Sequence, residues 1–98
     1  MKIGSLYIVK QYFWFLVPTK EIAAATARDA AARSPAAATE VAYWSRHFNC
    51  EVNYLSPDSI IVFLEEDGEY KKFLTSEGKI GWTVVYASYN NYFEEMKA

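Results

Sequence analysis

Cysteine is almost absent from this chain. Cys50 stands alone, which rules out an internal disulfide framework and a secreted disulfide scaffold. Proline (3) and glycine (4) are equally sparse, so the sequence is neither collagenous nor a low-complexity linker. No long apolar run exists. The longest aromatic-aliphatic stretch, Tyr12 to Val17, is far below the roughly 20 residues that span a bilayer. The opening MKIGSLYIVKQYFWFLV has neither the pattern nor the cleavage site of a signal peptide, so a cytoplasmic protein is expected. Neither sign of charge dominates. Ten basic against twelve acidic residues give −2, with no basic field to hold a nucleic-acid backbone or an anionic membrane.

What is present is hydrophobic and aromatic, and it is unevenly placed. The 98 residues suffice for one domain, 1–98, and 52% of them are hydrophobic. All 17 aromatics lie outside residues 18–42, whereas 11 of the 13 alanines lie inside. An aromatic-rich body is thus interrupted by an alanine-rich insert, 19–48.

Residues 3–10 read as a strand rich in β-branched and aromatic side chains. Tyr12 to Val17 reads as a second extended segment with apolar side chains on both faces, and Pro18 stops it. Thr19 is a candidate N-cap for a helix to about Arg33, where Asp29 and Arg33 sit at i, i+4. That helix carries little apolar bulk, so weak tertiary packing is expected of it. Ser34-Pro35 opens a second helix to residue 48, with Ala37, Val41, Trp44 and Phe48 on one face. This face is expected to cover the Tyr12–Val17 segment.

The C-terminal half is a strand meander. Glu51–Leu55 alternates. Ser56-Pro57-Asp58-Ser59 has the chemistry of a type I turn, and Ile60–Leu64 reads as a central strand. Asp67-Gly68 predicts a hairpin, Tyr70–Thr75 returns, Gly78 turns again, and Ile80–Ala87 forms the next strand. Residues 88–98 suit a short terminal helix or a tail.

The expected fold is mainly β: a small five-stranded antiparallel sheet, curled to remove its edges, with a helical hairpin inserted after the first strand segment. Leu6-Tyr7 and Gly81-Trp82 carry a resemblance to the SH3-like barrels. They match the hydrophobic-aromatic pair of that fold's first strand and the Gly-aromatic step of its closing segment. The resemblance covers roughly 3–10 and 50–90 and implies the barrel. Three departures separate the chain from proline-rich-peptide recognition. Ile60–Leu64 lacks the paired tryptophans, no proline follows Trp82 to form the usual short helix and tyrosine shelf, and alanines replace the acidic loop.

Conventional chemistry finds little support. His47 and Cys50 at i, i+3 lack the further ligands that zinc needs and any oxyanion partner for a thiol nucleophile. Glu65, Glu66, Asp67 and Glu69 read as a solvated acidic hairpin tip and not a catalytic pair. No enzyme activity, metal or cofactor is expected. The preferred reading is a non-catalytic protein-binding module, an accessory subunit or regulator docking onto a larger protein assembly. Its binding face is drawn from Phe13, Trp14, Arg28, Arg33, Trp44 and Trp82, since arginine and tryptophan dominate interface energies. The alanine-rich helices are a second candidate surface. The alternative is a nucleic-acid-binding small barrel using Tyr70, Lys71, Lys72 and Lys79, disfavoured by the net charge. A monomer or small homo-oligomer fits either reading, and the residues are as compatible with a viral origin as with a cellular one.

Overall fold

Alternation of side chains along short strands sets the architecture. The computed structural model describes residues 1–10, 14–31 and 41–96. Among them the order is β1 (Leu6–Val9), β2 (Trp14–Leu16), α1 (Lys20–Ala31), α2 (Val41–Phe48), β3 (Asn53–Leu55), β4 (Ile60–Asp67), β5 (Tyr70–Thr75), β6 (Ile80–Val84), a 3₁₀ helix (Ala87–Tyr92) and β7 (Phe93–Glu95). Five strands form an antiparallel sheet in the order β6-β5-β4-β1-β7, and β2 pairs with β3 in a separate two-stranded sheet. The chain is therefore mainly β with two described α-helices. Ser34-Pro35 and Ala37 lie outside the described residues.

The meander follows the sequence reading, with two turns of a different type. Asp67 pairs with Tyr70, so the loop is Gly68-Glu69 and not Asp67-Gly68. Gly68, at φ +61°, takes the first loop position, the arrangement of a type II′ turn. Asp58 has φ +72°, which makes Ser56–Ser59 a type II turn in place of the expected type I. The Ser59 amide donates to the Ser56 carbonyl at 3.2 Å. β4 is central between β5 and β1, and its register shifts between Phe63 and Glu65. The segment read as helix or tail divides in two. A 3₁₀ helix comes first, and then β7 pairs with β1, Tyr7 opposite Glu95 and Val9 opposite Phe93.

Two hydrophobic clusters lie on opposite sides of β2, which is how its two apolar faces are buried. Leu16 joins Tyr7, Val9, Ile61, Phe63 and Phe73 in the larger cluster. Val17, the next residue, joins Ala23, Trp44, Val52 and Trp82 in the other. The expected cover of this segment by the second helix is present in part, with Phe15 and Trp44 ring centroids 6.1 Å apart. Val17 and Trp82 exchange both backbone hydrogen bonds, at 3.0 and 2.7 Å, and so join the two sheets.

Helix α1 is better anchored than its composition suggests. Thr19 Oγ1 accepts from the Ile22 amide at 3.2 Å, an N-cap worth about 1 kcal/mol. Ala23 is buried beside Trp82 and Trp44, where a small side chain permits close approach. Lys20 reaches Asp67 at 2.6 Å and lies 5.5 Å from the centre of the Trp82 ring. Helix α2 ends in a Schellman motif. Asn49 adopts φ +50°, its amide donates to the Arg46 carbonyl at 3.4 Å, and Cys50 donates to Ser45 at 3.1 Å.

Gly81 is required where β6 meets β2. A Cβ there would lie 2.7 Å from Leu16 Cβ and 3.0 Å from the backbone of Leu16 and Val17. Gly81→Ala is therefore expected to cost about 1–3 kcal/mol through overpacking at this joint. Urea unfolding followed by tryptophan fluorescence measures the loss. Asp58→Gly, which relieves a left-handed backbone, is expected to shift the midpoint the other way.

Candidate functional site

Three tyrosines recur at intervals of three: Tyr86, Tyr89 and Tyr92. A 3₁₀ helix turns once every three residues, so Ala87–Tyr92, entered from Tyr86, aligns them on one side. Tyr86 and Tyr89 meet edge to face with centroids 5.8 Å apart, and Tyr89 and Tyr92 stack at 5.4 Å. Trp14, brought in by β2, lies 6.1 Å from Tyr89 and 5.0 Å from Phe93. The result is an aromatic strip with a buried base and an open top, Tyr86 and Tyr89 being 43% and 39% exposed. In the same helix, Asn90 Oδ1 is buried without a hydrogen-bond partner among the described residues. The short helix forms without the proline whose absence argued against it. Sequence reading missed the three tyrosines, although their period of three was legible.

The residues nominated from sequence are scattered. Trp14 belongs to the strip, and Arg28 is exposed in the last turn of α1. Phe13 and Arg33 lie outside the described residues. Trp44 is 0% exposed, enclosed by Phe15, Tyr43 and Phe48, so it offers nothing to a partner while the domain is folded. Trp82 is also buried, with the ammonium groups of Lys20 and Lys72 5.5 and 5.6 Å from its ring centre. Both tryptophans are core residues, because aromatic type marks contact area without saying which side is covered.

The four residues of the nucleic-acid alternative do not share a face. Lys71 and Lys72 are neighbours on β5 and so point to opposite sides of the sheet. Lys71 is buried and donates to Glu66 at 2.8 Å. Lys72 sits with Trp82, Tyr70 is half-buried in the second cluster, and Lys79 pairs with Glu51 at 3.2 Å. Each lysine is engaged by a different neighbour. The acidic hairpin tip is likewise engaged, with Glu66 and Asp67 holding Lys71 and Lys20.

His47 stacks on Tyr43 at 5.5 Å and meets Phe48 edge-on at 4.7 Å. Burial pushes the Cys50 thiol up, opposite to the activation that a thiolate nucleophile requires. Among the described residues no group of three or more metal-ligating side chains converges. No described helix is long and apolar enough to cross a membrane. A cleft of about 400 Å³ opens between β3, the Ser56–Ser59 turn and the β5–β6 turn, where the Ser56 and Ser59 hydroxyls bond one another at 3.1 Å. Comparison with protein-family models, curated proteins and solved structures finds no match.

The buried Lys71 ammonium holds the Glu66 carboxyl below the usual glutamate range, first through its hydrogen bond and then through its charge. Folding thus favours ionised Glu66. This contribution is complete above the unfolded value of about 4.3 and is lost as pH falls through the lower folded value. Because the Glu66 side chain is 41% exposed, the effect is modest. Glu66→Gln is expected to melt below the natural chain at neutral pH, with the gap closing below about pH 4. Thermal melts of both proteins across that range are the measurement.

Proposed function

We propose that the chain is a non-catalytic protein-binding module of SH3-like architecture, docking onto a larger assembly through the strip of Trp14, Tyr86, Tyr89 and Tyr92. The strip is the observation that carries the reading. Tyrosine and tryptophan supply large, rigid, amphipathic contact area at low entropic cost, and they dominate binding energies at interfaces. Tyr86 and Tyr89 stay exposed while Trp14, itself packed on Phe93, supports Tyr89 and Tyr89 supports Tyr86, so little ordering remains to be done on binding.

The architecture supports the same reading. A sheet in the order β6-β5-β4-β1-β7, with a short helix between the last two strands, agrees with the SH3-like arrangement. The departures weaken proline-rich specificity without removing the tyrosine surface. The ligand class that fits is an extended peptide segment of a protein partner, whose backbone amides and carbonyls meet the tyrosine hydroxyls between apolar ring contacts.

Selection of a displayed random-peptide library on the immobilised chain tests this. Enriched peptides are expected to lose at least about tenfold in affinity, roughly 1.4 kcal/mol, on a Tyr86→Ala/Tyr89→Ala variant that keeps the parental melting temperature. Failure to enrich any peptide, or equal affinity for the variant, would overturn the reading.

A further inference from the structure

The cleft between β3, the Ser56–Ser59 turn and the β5–β6 turn is walled in part by strand positions that alternation turns inward. Asn53 shares its side of β3 with Leu55, and Thr75 shares its side of β5 with Phe73. Leu55 and Phe73 both belong to the large cluster. Asn53 and Thr75 therefore stand at the open end of that cluster, as polar residues where the strand pattern calls for apolar ones. The end stays open because no ladder closes it. Among the described residues β3 pairs with β2, and β5 with β4 and β6.

The groups around this opening are short, and most are neutral. Ser56 and Ser59 share one hydrogen bond at 3.1 Å, which leaves a second hydroxyl proton and acceptor sites on both oxygens. Thr75 Oγ1 accepts from the Lys79 amide at 3.1 Å and keeps its own proton to donate. The half-buried Asn53 carboxamide adds two donors and an acceptor. Glu77 lines the cleft as an acceptor, and Ile60, 42% exposed, supplies an apolar wall.

We propose that this cleft, which is separate from the tyrosine strip, binds a neutral mono- or disaccharide. Its chemistry disfavours the other classes. An anion finds one ammonium here, Lys79, already held by Glu51 at 3.2 Å, and it also meets the Glu77 carboxylate. No helix starts in the lining to offer free amides. A metal ion lacks ligands, since no three metal-ligating side chains converge among the described residues. A wholly apolar ligand would strip water from the hydroxyls and the carboxamide without replacing it. A sugar answers both needs. Each of its hydroxyls donates and accepts, as the three hydroxyls and the carboxamide require, and its C–H face suits Ile60. The volume of about 400 Å³ falls at the small end of the roughly 300–1,000 Å³ of ligand pockets. With few contacts and an open mouth, the affinity is expected near 1 mM.

Amide-resolved NMR titration of the full chain with glucose, mannose, galactose, maltose and cellobiose, each to about 50 mM, tests this. At least one sugar is expected to give saturable shifts concentrated at residues 53–60 and 75–79. Glucose 6-phosphate is expected to bind at least about fivefold more weakly than the best of them. Glu77→Ala, at an exposed position, is expected to keep the melting temperature and weaken that sugar at least about fivefold, and Asn53→Ala to do the same. Should Asn53→Ala fail to fold, Glu77→Ala with Ser59→Ala carries the test. No saturable shift at the cleft with any of the five sugars overturns the proposal. So does an affinity indifferent to these variants, or a phosphate bound as tightly as the sugar. The Tyr86→Ala/Tyr89→Ala variant is expected to bind the sugar as the parent does, which keeps this result distinct from the peptide-binding test.

Discussion

The pairing of Val17 with Trp82 is the joint on which this molecule turns. Strand β2 is apolar on both sides and only three residues long, so by itself it has no stable environment. The two reciprocal hydrogen bonds to Trp82 fix it against β6 and give each side a different cluster. Gly81 makes the approach possible by having no Cβ to collide with Leu16. The insert inherits its position from this joint. Thr19 begins α1 two residues beyond Val17, and from α1 Ala23 joins the cluster of Trp82 while the Lys20 ammonium comes to 5.5 Å from its ring centre.

Electrostatics here serves the fold more than any ligand. The β4–β5 hairpin concentrates acidic residues, and two of them receive lysines, one from the neighbouring strand and one from α1. Buried Lys71 is tolerable because Glu66 and the Gly68 carbonyl satisfy it. The ammonium groups of Lys20 and Lys72 both lie over the Trp82 ring, at 5.5 and 5.6 Å from its centre, a cation–π contact for each. The lysine-and-aromatic pattern read in sequence is spread in the structure over separate contacts, Lys71 with Glu66, Lys72 with Trp82 and Lys79 with Glu51.

What the residues disclosed in advance divides by range. The N-cap at Thr19, the β4–β5 hairpin and the turn at Gly78 are local, and each was legible to within a residue. The turn types were misread because the left-handed position, Gly68 or Asp58, is chosen by the register of the flanking strands. Strand β7 was not legible. Phe93-Glu94-Glu95 carries no strand signature, and its pairing with β1 joins positions more than 80 residues apart. Trp44 and Trp82 were nominated for the binding face although both are buried, Trp44 in the cover of β2 that its helical face predicted, because composition identifies large aromatic side chains but not their covers. Of the candidate site only Trp14 was nominated, since Tyr86, Tyr89 and Tyr92 fit neither the helical nor the strand period.

The aromatic body and the alanine insert can now be related physically. Aromatic side chains are more numerous than one small core needs, and the fold distributes the surplus. Phe63, Phe73 and Phe93 stack inside the large cluster, while Trp44, Trp82 and Phe15 fill the second. The second cluster draws on both helices, Trp44 and Phe48 from α2 and Ala23 from α1, and the small Ala23 side chain lets α1 lie close. Alanine on α1 is therefore the complement of the tryptophans in that cluster. Tyr86 and Tyr89 lie outside both clusters, whereas Tyr92 packs against the large one. A phenolic hydroxyl favours a wet end, and the three-residue period keeps the two exposed rings on one side of the fold.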